Sequence, residues 1–123
     1  MSNIIQMSRL KSAFQYMERF DKNITLSKML VLLEIFNHYP EVLTGRELYR
    51  KTGSVLTYQA MSKTINRFCS SEPTLKLSEE GRGFLYLTEN PEDKREKFVN
   101  MTDKGLDVLS KFEDILNGTK RSD

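Results

Sequence analysis

The stretch TGRELYRKTGSVLTYQAMSKTINRFC, residues 44–69, decides the fold. Thr44-Gly45-Arg46-Glu47 has the spacing of a capping box, in which the threonine hydroxyl accepts an amide N–H three residues on and the glutamate returns to the threonine amide. This opens a short helix over Gly45–Lys51 that buries Leu48, and Gly53 ends it in a turn. A longer helix then runs from about Thr57 to Cys69. Its apolar residues Met61, Ile65 and Phe68 are spaced by four and three, so they form one narrow buried stripe. Two helices joined by a tight turn make a helix–turn–helix.

The opposite face of that second helix carries Thr57, Tyr58, Gln59, Ser62, Lys63, Asn66 and Arg67. Each of these side chains can hydrogen-bond to a base edge or a phosphate, and none is acidic. Net charge is only +2, but its distribution is uneven. Residues 44–70 hold five cations (Arg46, Arg50, Lys51, Lys63, Arg67) against one anion (Glu47), a net of +4 that leaves −2 for the rest of the chain. A basic cluster alone is commonly a solvated face. The absence of carboxylates on this one changes the reading, because phosphates repel carboxylates.

Upstream, Ile4, Met7, Leu10, Phe14 and Met17 recur at helical steps, predicting a helix over residues 2–20 with Ser2 or Asn3 as its cap. Ile5, Ala13, Tyr16 and Phe20 widen its apolar stripe beyond what one neighbour needs, so a second partner is expected. Thr25 caps the next helix, which runs to about His38 with Leu26, Met29, Leu30, Leu33 and Phe36 inward and Pro40 enforcing its stop. His38, the single histidine, reads as a surface or capping residue at the helix end.

Downstream, residues 70–83 are loop-like, although Leu75 and Leu77 alternate as in a short strand. Phe84–Glu89 and Lys97–Met101 are rich in strand formers and enclose a charged tip, Asn90–Glu96, which predicts a β-hairpin. Thr102 caps a last helix with Leu106, Leu109, Phe112 and Leu116 on one face, and Gly118 ends it. A helix–turn–helix followed directly by a hairpin is a winged helix: mainly α with a small β-hairpin wing, an α+β arrangement. One helix of such a unit enters the major groove while the hairpin reaches the adjacent backbone or minor groove.

The hairpin region GFLYLTENPEDKREKFVNMTDKG, residues 83–105, resembles the wing of the MarR-type regulators, roughly G-L-I-x-R-x-x-D-P-x-D-R-R-x-x-x-V-x-L-T-x-x-G. Asp93 and Arg95 match its aspartate and wing arginine, and Val99, Thr102 and Gly105 match the return strand and the start of the next helix. Asn90 stands where the family usually has aspartate. ITLS at 24–27, VLL at 31–33, Leu48 and AMSKTINR at 60–67 are similar to the family's second helix and helix–turn–helix. The likeness spans roughly residues 24–109. It departs in a longer stretch between Phe68 and Gly83 and in a final helix shorter than the family's C-terminal dimerisation helices.

The resemblance implies a sequence-specific regulator of transcription that binds double-stranded DNA as a homodimer. Its contacts would come from Thr57, Tyr58, Gln59, Ser62, Lys63, Asn66 and Arg67 on the recognition helix and from Lys94 and Arg95 on the wing, with Asp93 stiffening the tip. The expected layout is one winged-helix domain over 1–123. Residues 1–20 serve dimerisation, 24–101 bind DNA with the wing at 83–101, 102–118 form the last helix, and 119–123 are a tail. The excess apolar surface of residues 2–20, with Val108 and Ile115 beside the stripe of the last helix, places the dimer contact on the terminal helices.

Other functions find little support. No run approaches the ~20 apolar residues that cross a bilayer, and the longest, Met29–Leu33, meets Glu34; no signal peptide is legible, so the cytoplasm is expected. Cys69 is the single cysteine, which excludes an intrachain disulfide and a multi-cysteine metal site. Gly81-Arg82-Gly83 is a turn without the glycines and helix of a phosphate cradle. Glu79-Glu80 and Glu92-Asp93 lack the neighbours of an acid–base pair. The expectation is no enzyme, no metal and no cofactor. The competing class is a winged-helix adaptor that binds a protein partner with the same face, but such a face should show exposed apolar anchors.

Overall fold

Four threonines set where the helices begin. Thr25, Thr44, Thr57 and Thr102 each stand in extended backbone and accept the amide N–H three residues downstream, satisfying a donor that the first helical turn leaves free. The computed structural model describes residues 6–53, 56–69 and 83–118. In chain order they form α1 (Met7–Glu18), α2 (Leu26–His38), β1 (Leu43–Thr44), α3 (Gly45–Lys51), α4 (Tyr58–Phe68), β2 (Leu85–Thr88), β3 (Phe98–Met101) and α5 (Asp103–Asn117). This is a winged helix–turn–helix. α3 and α4 are the helix–turn–helix, and β2 and β3 are the wing.

The capping box at Thr44 is complete, with Glu47 N–H donating to the Thr44 hydroxyl at 3.1 Å and Thr44 N–H to the Glu47 carboxylate at 2.9 Å. Thr44 has a second role that sequence reading missed. With Leu43 it forms β1, which pairs antiparallel with β3 through Leu43↔Val99 and Thr44↔Phe98, giving a three-stranded sheet of order β1-β3-β2. Two residues are too few to show a strand's alternation, yet they fasten the start of the helix–turn–helix to the returning strand of the wing.

The core is continuous from α1 to α5 and includes Met17, Met29, Leu32, Leu48, Met61, Phe68, Phe84, Leu85, Leu109 and Phe112. Phe68 of α4 stacks on Phe84 at the foot of the wing, with centroids 5.8 Å apart and planes 10° from parallel. Phe20 meets Phe84 edge-on at 5.7 Å, and Phe14 meets Phe112 at 6.0 Å. Such arrangements suit the ring quadrupoles.

Several expectations need correction. The first helix begins at Met7, after Gln6 in extended backbone, and not at residue 2. The proposed caps Ser2 and Asn3, with Ile4 and Ile5, lie outside the described residues, as do the 70–82 stretch with Leu75 and Leu77 and the 119–123 tail. In α2 the buried residues are Met29, Val31, Leu32 and Ile35, whereas Leu26 is 64% exposed. That helix packs against α3, α4, α5 and β3, and it carries apolar residues on more than one side, so the half-buried row Leu30, Leu33 and Phe36 competes with the buried one in the reading of its phase. Val108, expected beside the stripe of α5 as surface for a second subunit, is buried in the core.

The junction between wing and last helix explains two motif residues. The Thr102 hydroxyl caps α5 and also donates to the Gly83 carbonyl, with the Phe84 carbonyl at 3.1 Å. Gly105, one turn later, lies against the Phe84 carbonyl and the Met101 side chain so closely that a β-carbon would collide with both.

Candidate nucleic-acid interface

α4 presents to solvent the face opposite its buried residues Met61, Thr64, Ile65 and Phe68. Thr57, Tyr58, Gln59, Lys63, Asn66 and Arg67 are exposed and Ser62 is half-buried. Wing and helix share a cleft of about 190 Å³ lined by Tyr58, Ser62, Asn66, Leu87, Arg95 and Glu96 among others. The polar face of α4 and the root of the wing tip therefore front one side of the molecule.

The tip is built from two successive aspartate- and asparagine-type turns. Asn90 Oδ1 accepts from the Glu92 amide at 3.0 Å, and Asp93 Oδ1 accepts from the Arg95 amide at 3.0 Å. Arg95 Nε also lies 3.4 Å from Asp93 Oδ1, while its side chain remains 91% exposed. The Arg95 amide bond, helped by the Arg95 and Arg46 charges, holds the Asp93 carboxyl below its ordinary value. Lys94, beside it, is exposed.

Besides Thr57, whose hydroxyl caps α4, and Arg95, which contacts Asp93, two more residues of the expected DNA-contacting set have partners within the protein. Arg67 makes a two-pronged contact with Asp21, Nε to Oδ2 and Nη2 to Oδ1, both at 3.2 Å. Asp21 is buried and also accepts the Asn23 amide at 2.9 Å, with Lys28 Nζ at 3.5 Å. Burial alone would raise the Asp21 carboxyl; the Arg67 and Asn23 hydrogen bonds and the two cations outweigh it and hold the carboxyl below its ordinary value. The end of α4 is thereby tied to the α1–α2 turn. Tyr58 donates its phenol to Glu96 Oε2 at 3.1 Å and packs edge-on against Tyr49, centroids 5.6 Å apart. Burial, then the Glu96 bond and charge, raise the Tyr58 phenol above its ordinary value.

Sequence reading assigned no role to Asp21 or Glu96. Their partners lie 46 and 38 residues away, and an isolated acid in a turn carries no periodic signal. His38 Nε2 lies 3.0 Å from Glu34 Oε2, one turn back on α2. Cys69 is buried, which pushes its thiol up to about 11, so it stays protonated and unreactive at neutral pH. Among the described residues no group of three His, Cys, Asp or Glu could hold a metal ion, and no helix is long and apolar enough to cross a membrane.

The geometry defines a winged helix–turn–helix with a polar, acid-free helix face beside a wing tip that exposes Lys94 and Arg95. No family model matches the chain, and no curated protein does. Solved structures do. An S. aureus MepR–DNA complex superposes with a TM-score of 0.70 at 20% identity, covering 91% of this chain and 78% of the other. The transcriptional regulator PA4135 gives 0.63 at 15% identity, covering 92% and 68%. A mutant MarR from E. coli complexed with operator DNA gives 0.58 at 18% identity, covering 89% and 69%. The chain has the MarR-type winged-helix fold.

Proposed function

We propose that this chain is a sequence-specific, duplex-DNA-binding regulator of transcription, acting in the cytoplasm, with α4 in the major groove and the wing at the adjacent minor groove. The observation that carries the reading is the exposed face of α4, which holds hydrogen-bonding and cationic side chains and no carboxylate, next to a tip that projects Arg95. Guanidinium groups favour the negative potential of a narrow minor groove. The DNA-bound state of the MepR and MarR structures supports the same partner. A protein-binding adaptor would need apolar anchors on this face. Tyr58 is the one large hydrophobic residue exposed on α4, and its hydroxyl is held by Glu96.

The test is gel-shift titration at two salt concentrations. Gln59→Ala and Asn66→Ala should relax preference at particular base pairs, each by about 1–3 kcal/mol where the amide makes a bidentate base contact. Lys63→Ala should weaken all duplexes evenly and flatten the salt dependence. Arg95→Ala should lower affinity with an unchanged circular dichroism spectrum, because its side chain contributes little to packing. Unchanged affinity in all four variants would refute the assignment.

The proposal includes a homodimer through α1 and α5, on altered grounds. The two helices pack on each other within one chain, burying Ala13, Met17, Val108 and Phe112, which takes up much of the apolar surface that called for a partner. What remains outward is Met7, 76% exposed, with Leu10, Phe14, Ile115 and Leu116 half-buried. Phe14 packs against Phe112, so a charge there would also disturb the core. Met7→Glu is the cleaner probe. Sedimentation equilibrium at micromolar concentration should show a dimer that Met7→Glu weakens; a monomer that still binds one half-site tightly would remove the dimer and leave the DNA reading standing.

A further inference from the structure

Three elements converge on one carboxylate. Glu96 follows Arg95 at the exit of the wing tip, and its side chain is only 15% exposed. Oε1 accepts the amide N–H of Arg46, in the first turn of α3, at 3.2 Å, and the Arg46 guanidinium lies 3.7 Å away. Oε2 accepts the phenol of Tyr58, the first residue of α4, at 3.1 Å. The Glu96 amide in turn donates to the Asp93 carbonyl at 3.0 Å, joining this junction to the turn that orients Arg95.

A carboxylate on a surface that meets phosphates repels them. Here both oxygens are turned onto donors of the protein itself, which marks a structural link and not a contact. Both strand ladders end at Phe98, which pairs with Thr44 on one side and Thr88 on the other, so the tip beyond it has no strand pairing to hold it. Glu96 supplies the missing connection between the tip and the helix–turn–helix.

We infer that Glu96 is a positioning residue that fixes the distance between the wing tip and α4, so that Arg95 and the polar face of α4 engage one duplex together. This rests on the DNA-binding reading. Its consequence opposes simple electrostatics. Removing a negative charge from the binding side should tighten DNA binding, whereas loss of the link should loosen it. The link acts through Arg95, so the two substitutions should not be independent.

The experiment is a double-mutant cycle by fluorescence anisotropy on the wild-type protein's best duplex, with Glu96→Ala, Arg95→Ala and both together. Glu96→Ala should weaken binding about tenfold, the scale of a lost charge-assisted hydrogen bond. Arg95→Ala should cost little more in that background. Glu96→Gln, which keeps one acceptor oxygen, should recover part of the loss and bring the Tyr58 phenol back toward its ordinary titration, read as the difference from Tyr58→Phe. Equal or tighter binding by Glu96→Ala, or effects that simply multiply, would overturn the inference. If the wild-type protein binds no duplex, the functional reading fails on its own, and amide exchange still judges the link. Faster exchange at Arg46 and Arg95 in Glu96→Ala supports it, and unchanged exchange overturns it.

Discussion

Gly105→Ala should destabilise the protein by about 2 kcal/mol and lower its melting temperature by roughly 10 °C. Helix propensity alone gives the opposite sign, since alanine is favoured over glycine in a helix by about 1 kcal/mol. Packing reverses it. A β-carbon at Gly105 would strike the backbone carbonyl of Phe84 and come within 2.9 Å of Met101 Cγ. The Met101 chain can shift, but the Phe84 carbonyl cannot, because it accepts the Thr102 amide at 2.9 Å. The expected overpacking cost, about 3 kcal/mol, exceeds the propensity gain. Differential scanning calorimetry checks the sign, and a melting temperature equal to or above wild type would show that α5 does not sit this close to the wing.

Asp21→Ala should cost about 2 kcal/mol, near the middle of the range for hydrogen bonds to charged groups. It stays below the toll of a fully buried broken pair because the Arg67 side chain, 43% exposed, can rehydrate. The pH dependence follows from the sign of the shift. The Asp21 carboxyl is held below its ordinary 3.8 in the folded protein. The unfolded chain therefore takes up a proton first as pH falls, and the stabilisation is fully present above about pH 5. It is lost progressively as pH drops through the ordinary value to the lower folded one. Urea unfolding should show a gap between wild type and Asp21→Asn at pH 7 that shrinks toward pH 3, with a pH-independent gap as the contrary result. Arg67→Ala should show a similar loss of stability, so its effect on DNA affinity has to be corrected for folding.

What was legible in the sequence was local. The threonine caps at Thr25, Thr44 and Thr102 and the Met61–Ile65–Phe68 stripe depend on spacings of three or four residues, and the structure carries them as expected; Thr57, read only as a contact residue, caps α4 as well. The hairpin is likewise written in strand formers around a turn-rich tip. The phase of α2 was not legible, because apolar residues on more than one side of the helix offer competing rows. β1 was too short to show a pattern. The acids Asp21 and Glu96 act on partners far along the chain, so only the folded structure reveals that they hold Arg67 and Tyr58. The polar face of α4 was readable as a surface, but not which of its members are already engaged.

Sequence-specific binding of duplex DNA is decided by selection from a random duplex pool with the purified wild-type protein. A homodimeric winged helix should enrich a palindrome whose half-sites lie about one helical turn, roughly 10 base pairs, apart. Recovery of a pool no different from the input after repeated rounds would contradict sequence-specific binding.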